Sequence, residues 1–82
     1  MKYDEILLAK YWGEQITSLR RERGMTQAQL AQAVGITPRW LYMLEYGQAS
    51  GRLYTYECIM QVLGEDFEQV RRRVLRNLQM GE

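Results

Sequence analysis

Two threonines and one glycine place the strongest constraint on this chain. Thr26 and Thr37 each stand just before a short stretch with helical apolar spacing, and Gly35 separates the two stretches. A threonine in that place offers its side-chain oxygen to a backbone N–H that the first helical turn leaves unpaired. Gly35 adopts positive φ without steric cost, which ends one helix and redirects the chain. The first stretch, 27–34, has Leu30, Ala31 and Val34 on one face. The second, 38–46, has Leu41 and Leu44 inward. Its Pro38 sits at the first helical position, where a missing N–H costs nothing.

Two short helices crossed at a steep angle over a three- or four-residue turn make a helix-turn-helix. That crossing requires a small residue where the helices approach, which Ala31 supplies, and a turn residue tolerant of positive φ, which Gly35 supplies. Leu30, Val34, Ile36, Leu41 and Leu44 fill the apolar positions between them. Each match is weak alone, but all of them fall in register with both hydroxyl caps. The segment 27–46 therefore reads as a helix-turn-helix.

The flanking sequence adds three more helices and no strand pattern. A first helix over 4–23 is marked by Leu8, Trp12, Ile16 and Leu19 at steps of four, four and three. Gly13 is expected to interrupt it, leaving Ile6 and Leu7 on a separate arm, and Gly24 to end it. A loop at 47–51 leads to a helix over 53–63, with Leu53, Tyr56, either Ile59 or Met60, and Leu63 inward. Gly64 precedes a last helix over 66–78 with the apolar line Phe67, Val70, Val74 and Leu78. That line is either core or a dimer seam, with Val70, Val74 and Leu78 as the seam residues. Cys58, Tyr54 and Tyr56 read as scaffold, Cys58 as a small buried apolar residue. The Arg71–Arg73 run reads as a solvated face.

The fold class expected is all-α, a compact five-helix single domain over 1–82. A chain of 82 residues buries only about 60–65% of its unfolded surface, so dimerisation is a common remedy. The formal charge is only +1, but it is unevenly spread. Between residues 15 and 52, Arg20, Arg21, Arg23, Arg39 and Arg52 face only Glu22 and Glu45, whereas the segments on either side lean acidic through residues including Glu14, Glu57 and Glu82. A local positive excess suits a phosphate-contacting face. The chain has no histidine and one cysteine. It therefore lacks the usual metal ligands, an intrachain disulfide and histidine catalysis. No glycine loop for phosphates and no nucleophile–base pair appears, so neither an enzyme nor a cofactor is expected. The N-terminal stretch is too acidic for a signal peptide, and no run approaches the ~20 apolar residues of a membrane span. The expectation is a soluble, cytoplasmic protein with no membrane partner.

The segment LRRERGMTQAQLAQAVGITPRWLYMLEYG, residues 19–47, resembles the Cro/lambda-repressor (XRE-type) helix-turn-helix regulators, and the likeness extends to Gly64. It implies a lambda-repressor-like five-helix bundle that binds operator DNA as a homodimer. It also implies a buried ion pair between Arg20 and Glu45, and a phosphate contact at Gln27 beside the cap Thr26. The helix inserted in the major groove would present Thr37, Pro38, Arg39, Trp40, Tyr42 and Met43. Tyr46, Ser50 and Arg52 would grip the next phosphates. Arg39 is the one evident hydrogen-bonding base reader, with guanine O6 and N7 as its natural target. Tyr42 and Met43 offer apolar contact to thymine methyls. Arg52 at a helix start is disfavoured by the dipole, which a phosphate would relieve.

A narrower likeness, in PRWLYMLEYGQASGRL at 38–53 and VLG at 62–64, is to HipB-like antitoxins, and the size and helical C-terminus resemble restriction–modification controller proteins. Two functions follow. One is a sequence-specific transcriptional regulator, a repressor on a pseudo-palindromic operator in double-stranded DNA. The other is an antitoxin-type or protein-interaction module that binds a toxin or other partner through Trp40, Tyr42, Met43 and Tyr46.

Overall fold

A computed structural model of the chain describes residues 3–80, with side chains from Asp4 onward, so Lys2, Gly81 and Glu82 lie outside the described residues. Five helices follow in order: α1 Tyr3–Glu22, α2 Gln27–Val34, α3 Pro38–Glu45, α4 Leu53–Leu63 and α5 Phe67–Met80. No strand occurs among the described residues. The body measures 32 × 24 × 20 Å. α1 is the central element and packs against α5, α3 and α4, while α2 packs against α3 and α4.

The two short helices form as their caps dictate. The Thr26 hydroxyl accepts the Gln29 N–H at 3.0 Å, and the Gln29 side chain accepts the Thr26 N–H at 2.9 Å, a reciprocal capping box. The Thr37 hydroxyl accepts the Trp40 N–H at 3.0 Å. Gly35 closes α2 at φ +90°, and its N–H donates to the Ala31 carbonyl. Tyr46 is the C-cap of α3, so the helix ends one residue earlier than its apolar spacing suggests. Asp66 caps α5 rather than joining it, its side chain accepting the Gln69 N–H at 3.0 Å.

Ile16, Leu30, Leu41, Leu44, Ile59, Met60, Leu63, Val70 and Val74 are fully buried and draw all five helices into one core. Both Ile59 and Met60 face inward, settling the choice between them. Trp12 lies stacked between Tyr56 and Phe67, with ring centroids 4.5 and 5.5 Å away. Such pairs add about 0.5–1.5 kcal/mol beyond the area they bury. The Tyr56 hydroxyl accepts the Gly51 N–H at 3.0 Å, tying the loop before α4 to this stack, and burial raises its pKa.

Several expectations are corrected. Gly13 does not break α1, which runs through it unbroken. It is buried where α1 crosses the end of α3, and a Cβ there would lie 2.5 Å from the carbonyl oxygens of both Leu44 and Glu45. Val70 and Val74 are fully buried against the core of their own chain and Leu78 packs on its edge, so Val70 and Val74 are unavailable to a dimer seam. Leu53 is 62% exposed, because the inner face of α4 is set by Tyr56, Ile59, Met60 and Leu63 and its first residue falls beyond the core. Tyr54 is 75% exposed and Cys58 is half-buried, so neither is core scaffold. The arginine run is not uniformly solvated: Arg71 pairs with Glu68 and Arg73 donates to Gln15 on α1 at 2.9 Å, leaving Arg72 exposed.

Gly13→Ala gains helix propensity of about 1 kcal/mol, yet the added methyl meets backbone that has no rotamer to escape through. The substitution is expected to lower stability by about 1–3 kcal/mol, measured as a fall in the urea midpoint. An unchanged or higher midpoint would show that the crossing is not tight.

Candidate nucleic-acid interface

The orientation of α3 is fixed by a single carboxylate. Glu45, the last residue of α3, has a side chain only 1% exposed. Its Oε2 accepts from the Arg20 Nε at 2.7 Å, and its Oε1 from Arg20 Nη2 at 3.0 Å. Oε1 also accepts from the Thr17 hydroxyl at 3.1 Å and the Gln27 amide at 3.0 Å. Arg20 gives its remaining terminal nitrogen to the Met25 carbonyl at 2.8 Å. One charge pair therefore joins the middle and end of α1, the α1–α2 turn, the first residue of α2 and the last residue of α3. No buried side-chain nitrogen or oxygen among the described residues lacks a partner, which is the condition under which a buried pair is tolerated.

Gln27 is thus neither a free solvated side chain nor wholly committed. It is half-buried, one amide hydrogen is held by Glu45, and the other remains at the edge of α2. The Thr26 and Thr37 hydroxyls accept at their caps, which leaves each hydroxyl hydrogen free to donate outward.

On α3, Pro38, Arg39 and Tyr42 are exposed, as are the flanking Thr37 and Tyr46. Trp40 and Met43 are half-buried, and Trp40 packs on the core edge. The outer face is therefore narrower than the sequence suggests. Tyr42 and Tyr46, one turn apart, rest against each other with centroids 4.6 Å apart, 44% and 62% exposed. Ser50 and Arg52 are exposed in the loop that leads to α4, and Arg52 is the N-cap of α4 without a capping side-chain hydrogen bond. Thr26, Gln27, the exposed residues of α3, Ser50 and Arg52 are distributed over α2, α3 and the following loop, the three segments that the sequence singled out.

Other parts of the frame were not legible in the sequence. Thr17 lies one turn before Arg20 on α1, which is the only signal that could have joined it to Glu45. Arg23 donates its Nε to the Leu63 carbonyl at 2.7 Å and pairs with Glu65, holding the end of α4 against the end of α1. Arg21 and Ser18 of α1 line an open groove with Glu45 and Tyr46, placing a further cation beside the end of α3.

These features meet known proteins in one place. The family described as a helix-turn-helix domain matches residues 13–76. The chain belongs to that family. Two crystal structures of the clp gene regulator ClgR from Corynebacterium glutamicum share the fold. One superposes with a TM-score of 0.82 at 23% identity, covering 90% of this chain and 79% of the regulator. The other gives 0.78 at 24% identity, covering 85% and 91%. No curated protein matches the chain. At such identity the likeness to ClgR is one of fold, a bundle of five helices in this chain. The family assignment carries the coarse reading of this domain as a DNA-binding transcriptional regulator.

Removing one partner of a buried pair leaves the other charged and dry, which costs about 3–5 kcal/mol. Arg20→Ala is expected to lose that much in urea unfolding. Arg20→Met combined with Glu45→Leu should recover a large part of it, because no buried charge is left. A single-variant loss below about 1 kcal/mol would mean the pair is not the anchor described.

Proposed function

We propose that this protein is a sequence-specific transcriptional regulator, a cytoplasmic repressor that binds a pseudo-palindromic operator in double-stranded DNA as a homodimer. The observation that carries the reading is the exposed face of α3 with Arg39 in its first turn, held at a set angle by the Glu45 network. Arg39 reads guanine in the major groove. Tyr42 and Met43 meet thymine methyls, with Trp40 and Pro38 at the groove edge. Thr26, Gln27, Thr37, Tyr46, Ser50 and Arg52 contact phosphates and fix the register without reading sequence. Two such units enter successive major grooves about 34 Å apart. The chain performs no catalysis and needs no cofactor in this role.

The mechanism follows from placement. α2 lies across the backbone and donates N–H groups toward it, so phosphate binding fixes α2. The carboxylate of Glu45 connects α2 to α3, so fixing α2 also sets how α3 enters the groove. A competing reading, a protein-interaction module of antitoxin type, draws on the exposed Tyr42–Tyr46 pair and the low net charge.

Selection of bound sites from random DNA followed by variant binding tests the proposal. Arg39→Ala should lose about 1–3 kcal/mol of discrimination at one base pair of each half-site. Gln27→Ala should weaken all sequences alike, with circular dichroism confirming that the fold persists. Binding should fall steeply with salt, by a slope of about −0.9 per phosphate contact. A flat salt response would defeat the DNA reading and favour the protein-partner one. Unchanged sequence preference in Arg39→Ala would remove Arg39 as the reader.

A further inference from the structure

Two tyrosines, Tyr42 on α3 and Tyr46 at its C-cap, stand on the exposed side one turn apart, and neither fills the core. Their ring centroids are 4.6 Å apart and the planes are inclined at 38°. A helical side chain leans towards the N-terminus and covers the turn before its own Cα. The Tyr46 ring therefore lies over the turn of Tyr42, and the Tyr42 ring over the turn of Pro38 and Arg39. The backbone of Tyr46 is well held: its N–H donates to the Tyr42 carbonyl at 3.0 Å, and the next residue, Gly47, lies against Lys10 of α1. Tyr46 also lines the groove that it shares with Ser18 and Arg21 of α1. An exposed tyrosine on a helix turns about two χ angles, and a ring resting against it removes part of that freedom.

We infer that Tyr46 is a positioning residue for sequence reading: its ring holds the Tyr42 ring in the orientation that packs on a thymine methyl. This rests on the DNA-binding reading and gives Tyr46 a second role beside the phosphate contact of its hydroxyl. A methyl group offers no hydrogen bond that could orient the ring laid on it, so the orientation has to come from the protein. Ordering a free side chain at an interface costs affinity, and a ring already held in place avoids that cost. Arg39 has no such need, because a bidentate pair of hydrogen bonds to guanine sets its own geometry. The Tyr42–Tyr46 contact therefore acts on the base pair that Tyr42 meets and leaves the guanine preference of Arg39 intact.

Deoxyuridine scanning of a selected half-site tests this, since it removes one methyl at a time and leaves base pairing unchanged. In the full wild-type chain one thymine should show a loss of about fourfold in affinity, the worth of one buried methyl. That loss should vanish in Tyr42→Ala, which identifies the thymine that Tyr42 meets. In Tyr46→Ala the loss at the same position should fall below about twofold, with the guanine preference kept. Tyr46→Phe retains the ring without the hydroxyl; it should weaken thymine and uracil sites by one common factor and keep the methyl penalty whole. A role confined to securing the end of α3 would weaken both sites alike in Tyr46→Ala and leave the penalty unchanged, which overturns the inference. A wild type without a methyl penalty that depends on Tyr42 overturns it as well. In the free chain, carbon-13 relaxation should show a more mobile Tyr42 ring in Tyr46→Ala than in the wild type or in Tyr46→Phe; equal mobility refutes the inference without DNA. A chain that binds no selected site removes the DNA reading and the inference together, whereas binding with an unaltered penalty removes the inference alone.

Discussion

Everything that makes α3 usable depends on the Glu45 carboxylate. A helix of eight residues has little stability of its own, so its direction must be imposed from outside. Apolar contacts through Leu41 and Leu44 hold α3 to the core, but such contacts are non-directional and permit sliding. The bidentate Arg20–Glu45 pair has a fixed geometry, and Thr17 and Gln27 occupy further positions on the same carboxylate. Burial raises the cost of every alternative arrangement, because a carboxylate that lost these donors would remain dry and uncompensated. The ion pair thus contributes definition of angle more than net stability.

The backbone contact at Gly13 is the steric counterpart of that pair. The carbonyls of Leu44 and Glu45 come against α1 at the one position with no side chain, so the end of α3 seats directly on the α1 backbone. Gly47 sits against Lys10 less tightly, where a Cβ would lie 3.0 Å from the Lys10 Cα. Short-range packing and the charge pair therefore fix the same end of α3, leaving its first turn, with Arg39, directed away from the core. α1 serves as the platform, and the stack of Trp12 with Tyr56 and Phe67 fastens α4 and α5 to its other side.

Much of this was legible in order of residues. The hydroxyl caps, Gly35 and the spacing of Leu30, Ala31, Leu41 and Leu44 depend on contacts within a few residues or within one crossing, and these leave periodic traces. Gly13 was misread because propensity treats glycine as a helix breaker, whereas here the demand for space came from a helix some thirty residues away. Val70 and Val74 were ambiguous for a related reason: a period of four shows that a face is apolar without showing whether α1 or another chain covers it. Leu53 and Tyr54 were misassigned at the first turn of α4, where a residue's direction depends on where the core ends.

The amino-acid order by itself determined five helices, their caps, the crossing at Ala31 and Gly35, and which residues stand on α2, α3 and the following loop. Those features follow from local backbone sterics and from apolar periodicity, both written in neighbouring residues. Only the tertiary structure decided that Gln27 shares a carboxylate with Arg20 and Thr17, that α1 runs unbroken beneath α3, and that Val70 and Val74 of α5 are buried in the core of their own chain. Each of those depends on residues far apart in the chain meeting within a few ångströms, and no short-range pattern records such a meeting.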